Sequence, residues 1–148
     1  MTALPDLVER LLATNLPDRA LDREIMALFY RWDQKHIGAK CWDDKHDTCC
    51  PEARHLDWVW SDPVTDQFLT TAKDGYRFTA SLNEALAMAE LALDQRGRGP
   101  ININICLAGS AQVVIDSAGP CDLPLAQVVA SSAALAVCAA ALQARGSK

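Results

Sequence analysis

The sequence predicts an α+β fold, an α/β/α-type sandwich in which a small, mainly antiparallel sheet carries helices packed on its faces. Three observations predict it. Leu21, Ile25, Leu28, Phe29 and Trp32 recur at helical intervals and form one apolar stripe. Ile101, Ile103 and Ile105 alternate with Asn102 and Asn104, the period of a strand with one face buried. Between these two patterns, residues 75–93 read as a strand that turns directly into a helix. Tyr76, Phe78 and Ala80 alternate with Arg77 and Thr79, and Ser81 then stands three residues ahead of Glu84. That is the capping-box spacing, in which the hydroxyl accepts from a free helix N–H and the carboxylate reaches back to the cap.

Taken in order, Leu4, Leu7, Val8, Leu11 and Leu12 predict an opening helix through about Ala13. Pro17-Asp18 suits a helix start, because proline fits the first turn and an acid there complements its free N–H groups, so a second helix is predicted over residues 18–32. Between residues 33 and 74 helical periodicity fails, and a long irregular region is expected. Within it Trp58-Val59-Trp60 is the best short strand, with both indoles on one side, and residues 68–71 are placed to pair with residues 76–80 across Lys73-Asp74-Gly75. The helix that Ser81 begins presents Leu82, Leu86, Met88, Ala89 and Leu93 to one face and is expected to exit through Arg96-Gly97-Arg98-Gly99-Pro100. The isoleucine strand and Val113-Val114-Ile115 then form a hairpin across Ala108-Gly109-Ser110, with the isoleucines inward. A closing helix covers at least residues 133–144, with Ser131 or Ser132 as cap and Gly146 past its end. Residues 125–130 fit either its first turns or a last strand.

A length of 148 residues suits one domain, residues 1–148, with half its residues apolar and 22% charged. The net charge of −5 lacks the basic stripe of a nucleic-acid binder and disfavours such a partner. The charge is uneven. Residues 41–66 hold Asp43, Asp44, Asp47, Glu52, Asp57, Asp62 and Asp66 against Lys45 and Arg54, which accounts for the whole imbalance. Such a stretch is either a solvated loop or an acidic surface that meets a basic partner. The first twelve residues carry Asp6 and Glu9 and no cationic start before an apolar run, so no secretory signal is read and a cytoplasmic location is expected. Residues 123–142 contain no charge and are long enough to span a bilayer, but they are rich in Ala and Ser, which drive insertion poorly. A buried helix, with no membrane partner, is the better reading.

The densest set of reactive side chains is His36, Cys41, His46, Cys49, Cys50 and His55. Cys41-x4-His46-x2-Cys49 has spacings that a tetrahedral zinc could use, with His55 as a further ligand, and bound metal would hold an irregular stretch in order. No Cys-x-x-Cys pair is present, adjacent Cys49 and Cys50 do not readily point at one ion, and reduced cysteine also serves as a small apolar side chain. A zinc-stabilised domain or metal-dependent enzyme built on Cys41, His46, Cys49, Cys50 and His55 is therefore an alternative, and no cofactor is the leading expectation. A Cys50 nucleophile beside His46 or His55 needs a thiolate held near a base, which sequence proximity does not supply. Cys106, Cys121 and Cys138 have apolar neighbours and read as core thiols. No phosphate-cradling glycine loop, G-x-S-x-G or H-E-x-x-H occurs, so no catalytic residues are assigned.

Three segments in this order resemble the phage ABA sandwich domain, a group of small proteins encoded by phages and prophages. They are Pro17-Asp18-Arg19-Ala20-Leu21-Asp22, Phe78-Thr79-Ala80-Ser81-Leu82-Asn83-Glu84-Ala85-Leu86 and Ala134-Leu135-Ala136-Val137-Cys138-Ala139-Ala140-Ala141-Leu142. The resemblance implies helices sandwiching a sheet in a cytoplasmic protein of phage or prophage origin. It carries no catalytic residues, and the Cys- and His-bearing stretch before residue 57 departs from it. The leading expectation is an accessory protein that binds a host or phage protein, without catalysis, through an acidic, tryptophan-bearing surface of Trp42, Asp43, Asp44, Asp47, Trp58 and Trp60. Homo-oligomerisation is compatible with it. A weaker alternative is an oligomer that holds a small nucleotide-like ligand through Arg77, Arg96 or Arg98.

Overall fold

The computed structural model describes residues 3–37, 55–93, 98–105, 109–117 and 124–146. The described chain has four helices and two three-stranded antiparallel sheets, an α+β arrangement with helices packed against sheet. In chain order the elements are α1 (Leu4–Ala13), α2 (Arg19–Phe29), β1 (Arg31–Ile37), β2 (His55–Ser61), β3 (Phe68–Thr70), α3 (Leu82–Ala92), β4 (Arg98–Ile105), β5 (Ala111–Ser117), β6 (Ala126–Ala130) and α4 (Ala133–Gly146). They fall into two compact units, one of residues 1–25 with 76–148 and the other of residues 26–75. Among the described residues no helix is long and apolar enough to cross a membrane.

The first unit is built around α4. Every residue from Ala134 to Leu142, and Ala144, is buried, so this helix has no polar face to give to water. A helix that is apolar all round must be enclosed. Sheet β4-β5-β6 lies on one side of it, and α1 and α3 pack along it. Its many alanines are short enough to let the neighbouring helices approach closely. Ser132 starts it by accepting from the Leu135 N–H at 3.3 Å, whereas Ser131 donates its hydroxyl to the Thr14 carbonyl at 2.9 Å. The segment before it resolves as strand β6, in which Ala126, Val128 and Ala130 are buried and Gln127 and Val129 exposed. Its alternation of apolar and outward positions has the two-residue period of a strand.

In β4 the isoleucines share the helix-facing side of the sheet, opposite Ile115, Val113 and Ala111 of β5. Their burial is incomplete because β4 is a terminal strand, and Ile105 is 68% exposed. The expected helix exit at residues 96–100 is corrected in part: α3 ends at Ala92, and Arg98-Gly99-Pro100 already belongs to β4, with a register irregularity between Arg98 and Ile101. Glycine and proline are tolerated there because a terminal strand at a bulge needs neither a side chain nor a full hydrogen-bond ladder. A Cβ on Gly99 would lie 2.7 Å from the Ser117 carbonyl oxygen.

A second correction concerns residues 76–80, which form a turn and not a strand. Their alternation is real, but their backbone groups are taken by side chains. The Thr79 N–H donates to the Asp22 carboxylate at 2.7 Å, and the Thr79 hydroxyl accepts from the Asp18 N–H at 2.9 Å. Arg19 donates to Asp22 at 2.8 Å and to the Tyr76 carbonyl at 3.1 Å. From α4, the Cys138 thiol lies 3.5 Å from the Phe78 carbonyl. Ser81 caps α3 as expected, accepting from the Glu84 N–H at 3.3 Å. The Glu84 carboxylate reaches one turn further back, to the Arg77 N–H, because the Ser81 N–H is already bonded to the Arg77 carbonyl. The buried line of α3 is Ala85, Met88, Ala89 and Ala92, while Leu82 and Leu86 are only half-buried.

The second unit contains the largest departure from expectation, since most of the described part of the region expected to be irregular is a sheet of order β1-β2-β3. Helix α2 stops at Phe29, three residues short, and Trp32 sits on β1 opposite Trp60 of β2. Asp18 is its cap and not part of it, accepting from the Ala20 N–H at 2.8 Å. Residues 68–70 pair with β2 and not with residues 76–80. At the end of this unit Gly75 adopts φ +74°, and a Cβ there would fall 2.2 Å from Met26 Cγ. Both features require glycine.

Two stability predictions follow from these joints. Gly75→Ala should cost roughly 1–3 kcal/mol in chemical denaturation, from the left-handed backbone and the displaced Met26 side chain. Asp22→Ala should cost roughly 2–4 kcal/mol by leaving the Thr79 N–H and Arg19 without their acceptor, and Asp22→Asn less, because an amide oxygen still accepts from Thr79. Burial raises the Asp22 carboxyl above its ordinary value, and the Thr79 and Arg19 donors offset that only in part. Protonation therefore favours the folded state. Wild type should gain stability relative to Asp22→Asn as pH falls through the raised value, level off below the ordinary carboxylate range, and show no such gain on going up from neutral pH.

Candidate functional site

The strongest candidate lies on the β1–β2 pair of the second unit. The antiparallel register sets Trp32 opposite Trp60 and Gln34 opposite Trp58, and alternation puts all three indoles on one side of the pair. The Trp32 ring stacks on Trp58 at 6.1 Å between centroids with 12° between planes, and meets Trp60 at 5.2 Å with a tilt of 51°. Trp60 anchors the group. It is 3% exposed and donates its indole N–H to the Lys73 carbonyl at 3.1 Å. Trp58 is 47% exposed, so the aromatic ladder runs from the interior to the surface. Its strand neighbour Val59, on the opposite face, is fully buried, which fixes the backbone beneath it.

The same unit carries charged side chains toward the Ser61 end of β2. Arg31 pairs with Asp66 at 2.8 Å and with Asp33 at 3.3 Å, and all three side chains are about half exposed or more. Such solvated pairs contribute little to stability. Asp62 accepts from the Val64 and Thr65 N–H groups at 2.7 and 3.1 Å and so shapes the turn between β2 and β3. Asp66 completes that turn with φ 60° and donates its N–H to the Asp62 carbonyl at 2.8 Å. The acids of this stretch that can be described thus build a turn and hold Arg31, and still leave carboxylate oxygens toward water.

Of the residues singled out by sequence, Trp58 and Trp60 are brought together, with Trp58 at the surface and Trp60 inside. Trp42, Asp43, Asp44 and Asp47 lie outside the described residues, as do Cys41, His46, Cys49 and Cys50. His55 opens β2 opposite Ile37. Among the described residues no group of three His, Cys, Asp or Glu side chains is placed to hold a metal ion. Arg77 is exposed in the first unit and Arg98 starts β4, while Arg96 lies outside the described residues. Sequence reasoning missed Trp32, which it assigned to the stripe of α2. The signal was present in Arg31-Trp32-Asp33-Gln34-Lys35-His36, whose mixed polarity fits no helix face. Comparison with protein-family models, with curated proteins and with solved structures finds no match.

Two other places in the first unit were weighed by their chemistry. Asp22 and Cys138 approach one another inside it, but both are buried, and desolvation together with the Asp22 charge pushes the Cys138 thiol far above its ordinary value. A thiol so held is not a nucleophile. An open groove of about 500 Å³ runs between α1 and α4, lined by Leu4, Val8, Leu12 and Leu142 with Glu9 and Gln143 at its rim. It gathers no convergent polar groups.

The ladder makes a spectroscopic prediction. Two indoles stacked at 6.1 Å should couple excitonically, so wild type should show a tryptophan couplet near 225 nm (~225 nm, the strong indole band) in circular dichroism. Trp32→Phe, which breaks both indole pairs, should remove that couplet while leaving the helical signal intact, and Trp58→Phe should change it to the contribution of the Trp32–Trp60 pair alone.

Proposed function

We propose that the protein is a non-catalytic binding protein that engages a basic protein surface through the exposed Trp58 of the aromatic ladder and acids of the same unit. One observation carries this reading. Trp58 keeps 47% of its surface exposed while stacked on Trp32, which itself packs on the hydrogen-bonded Trp60. An exposed indole already held in place gives up little side-chain freedom on binding. Tryptophans so mounted are the residues on which binding energy concentrates. Carboxylates nearby favour a partner that offers arginine or lysine, which can meet both an indole face and an acid. The position of Asp62 and Asp66 in the adjoining turn, and the acidic excess of residues 41–66, support the same sign of charge. The resemblance to phage ABA sandwich proteins supports an accessory role in a phage- or prophage-derived system, in the cytoplasm of the cell that expresses it.

A photo-cross-linking amino acid in place of Trp58 tests this directly in expressing cells, with the same residue in place of the exposed Leu16 of the first unit as control. A single saturable adduct to a basic protein at position 58, absent at position 16, is the expected result. Purified Trp58→Ala should then bind that protein at least ~30-fold more weakly, the loss typical of a hot-spot aromatic. Adducts that are the same at both positions, or unchanged affinity in a folded Trp58→Ala protein, would remove the proposal.

A further inference from the structure

The first unit carries a separate surface at the outer edge of β4. Strand β4 is terminal in the order β4-β5-β6, and its regular register with β5 runs from Ile101 to Ile105. Those five residues read Ile-Asn-Ile-Asn-Ile, the same in either direction. Terminal strands are ordinarily protected from pairing by lysine, proline or a bulge. Here the irregularity and Pro100 stop at the start of the strand, and no charge follows within it. The isoleucine side continues the buried face made by Ile115, Val113 and Ala111, yet Ile101 and Ile103 are only half-buried and Ile105 is 68% exposed. Helix α4 packs on β5 and β6, the far side of the sheet from this edge.

We propose that this edge pairs with β4 of a second copy of the chain, antiparallel and with the two-fold axis at Ile103. The sequence selects that occupant. Antiparallel pairing about residue 103 sets Ile103 against Ile103, Ile101 against Ile105, and Asn102 against Asn104, so apolar meets apolar on one face and amide meets amide on the other. A shift of one residue in register would place isoleucine against asparagine at every position. The pairing joins two three-stranded sheets into one of six and adds about four to six backbone hydrogen bonds. It removes the exposed Ile105 side chain of each copy from water against Ile101 of the other. On the outer face Asn102 is already held by Asp116 of its own β5 at 2.9 Å, which sets its amide in place before pairing. An edge contact of this length is at the small end of specific interfaces, so its dissociation constant should be on the order of 1–100 µM.

Sedimentation equilibrium or light scattering of the full chain, across about 1–500 µM to bracket that range, reads the outcome. Wild type should pass from the mass of one chain to that of two. Ile105→Lys, at a side chain already in solvent, should keep the circular dichroism and melting temperature of wild type and weaken the dimer at least ~10-fold, because each ammonium then faces the partner's Ile101. Val129→Lys, on the exposed face of β6, should leave the dimer unchanged. Should Ile105→Lys fail to fold, Asn104→Asp, on the outer face, takes its place with the same expectation, because its carboxylate then faces the partner copy's Asn102–Asp116 pair. A wild-type chain that stays monomeric throughout overturns the proposal, as does a dimer that survives the β4 substitutions or is lost only in Val129→Lys.

Discussion

The first unit depends on one constraint: α4 offers no polar face, so nothing around it is free to move away. A helix of mostly alanine buries little area per residue, and its enclosure has to come from several neighbours at once. The sheet supplies one wall and α1 and α3 supply others. The short side chains let backbone approach backbone, so a larger residue at Ala136, Ala139 or Ala140 would have to displace a neighbour. The uncharged run of residues 123–142 is thus divided, with strand β6 in its first half and the packing centre α4 in its second.

Three segments of the first unit, residues 17–22, 78–86 and 134–142, come together at this centre. Asp18 and Asp22 of the first hold Thr79 at the head of the second, Arg19 reaches the Tyr76 carbonyl just before it, and Cys138 of the third lies against the Phe78 carbonyl. The residue types follow from the joint. A turn that enters a helix while buried leaves N–H and carbonyl groups that need partners, and the Asp22 carboxylate, the Arg19 guanidinium and the Cys138 thiol from adjoining elements provide them. The joint also explains why Asp22 is kept although burial opposes its charge. Removing it would leave the buried Thr79 N–H without its acceptor and break the Arg19 ion pair, a larger penalty than holding one desolvated carboxylate between the Thr79 and Arg19 donors.

How much of this was legible in the sequence differs between the two units. In the first, α1, the Ser81 cap, β4 and α4 are local statements: a stripe, a cap spacing, an alternation and a serine cap before an alanine-rich run each specify their element without reference to anything distant. The turn at residues 76–80 was misread because its alternation is the shadow of a tertiary joint; Thr79 and Phe78 are buried by what holds them, not by a sheet. In the second unit, β1 was invisible for a related reason. Its residues have the polarity of a loop, and they become a strand because Trp32 finds Trp58 and Trp60 across a gap of more than twenty residues. The candidate site was half legible: the two tryptophans of β2 announced themselves by spacing, but the partner that orients them did not.

The acidic excess and the exposed indole acquire a common meaning from this mounting. A flexible tryptophan among aspartates would be a poor ligand for anything, since ordering it would consume the contact energy. Stacked on Trp32 and anchored through Trp60, it presents a fixed edge beside charges that attract a basic surface before contact is made. Self-pairing through β4 would give each assembly two such edges. Binding to a partner with repeated basic sites would then be strengthened by effective concentration, without a further contact at either site, and would fall back to the affinity of a single indole when the β4 edge is broken. The proposed recognition and assembly surfaces lie on different units, so substitutions at β4 should change avidity without changing the contact proposed for Trp58.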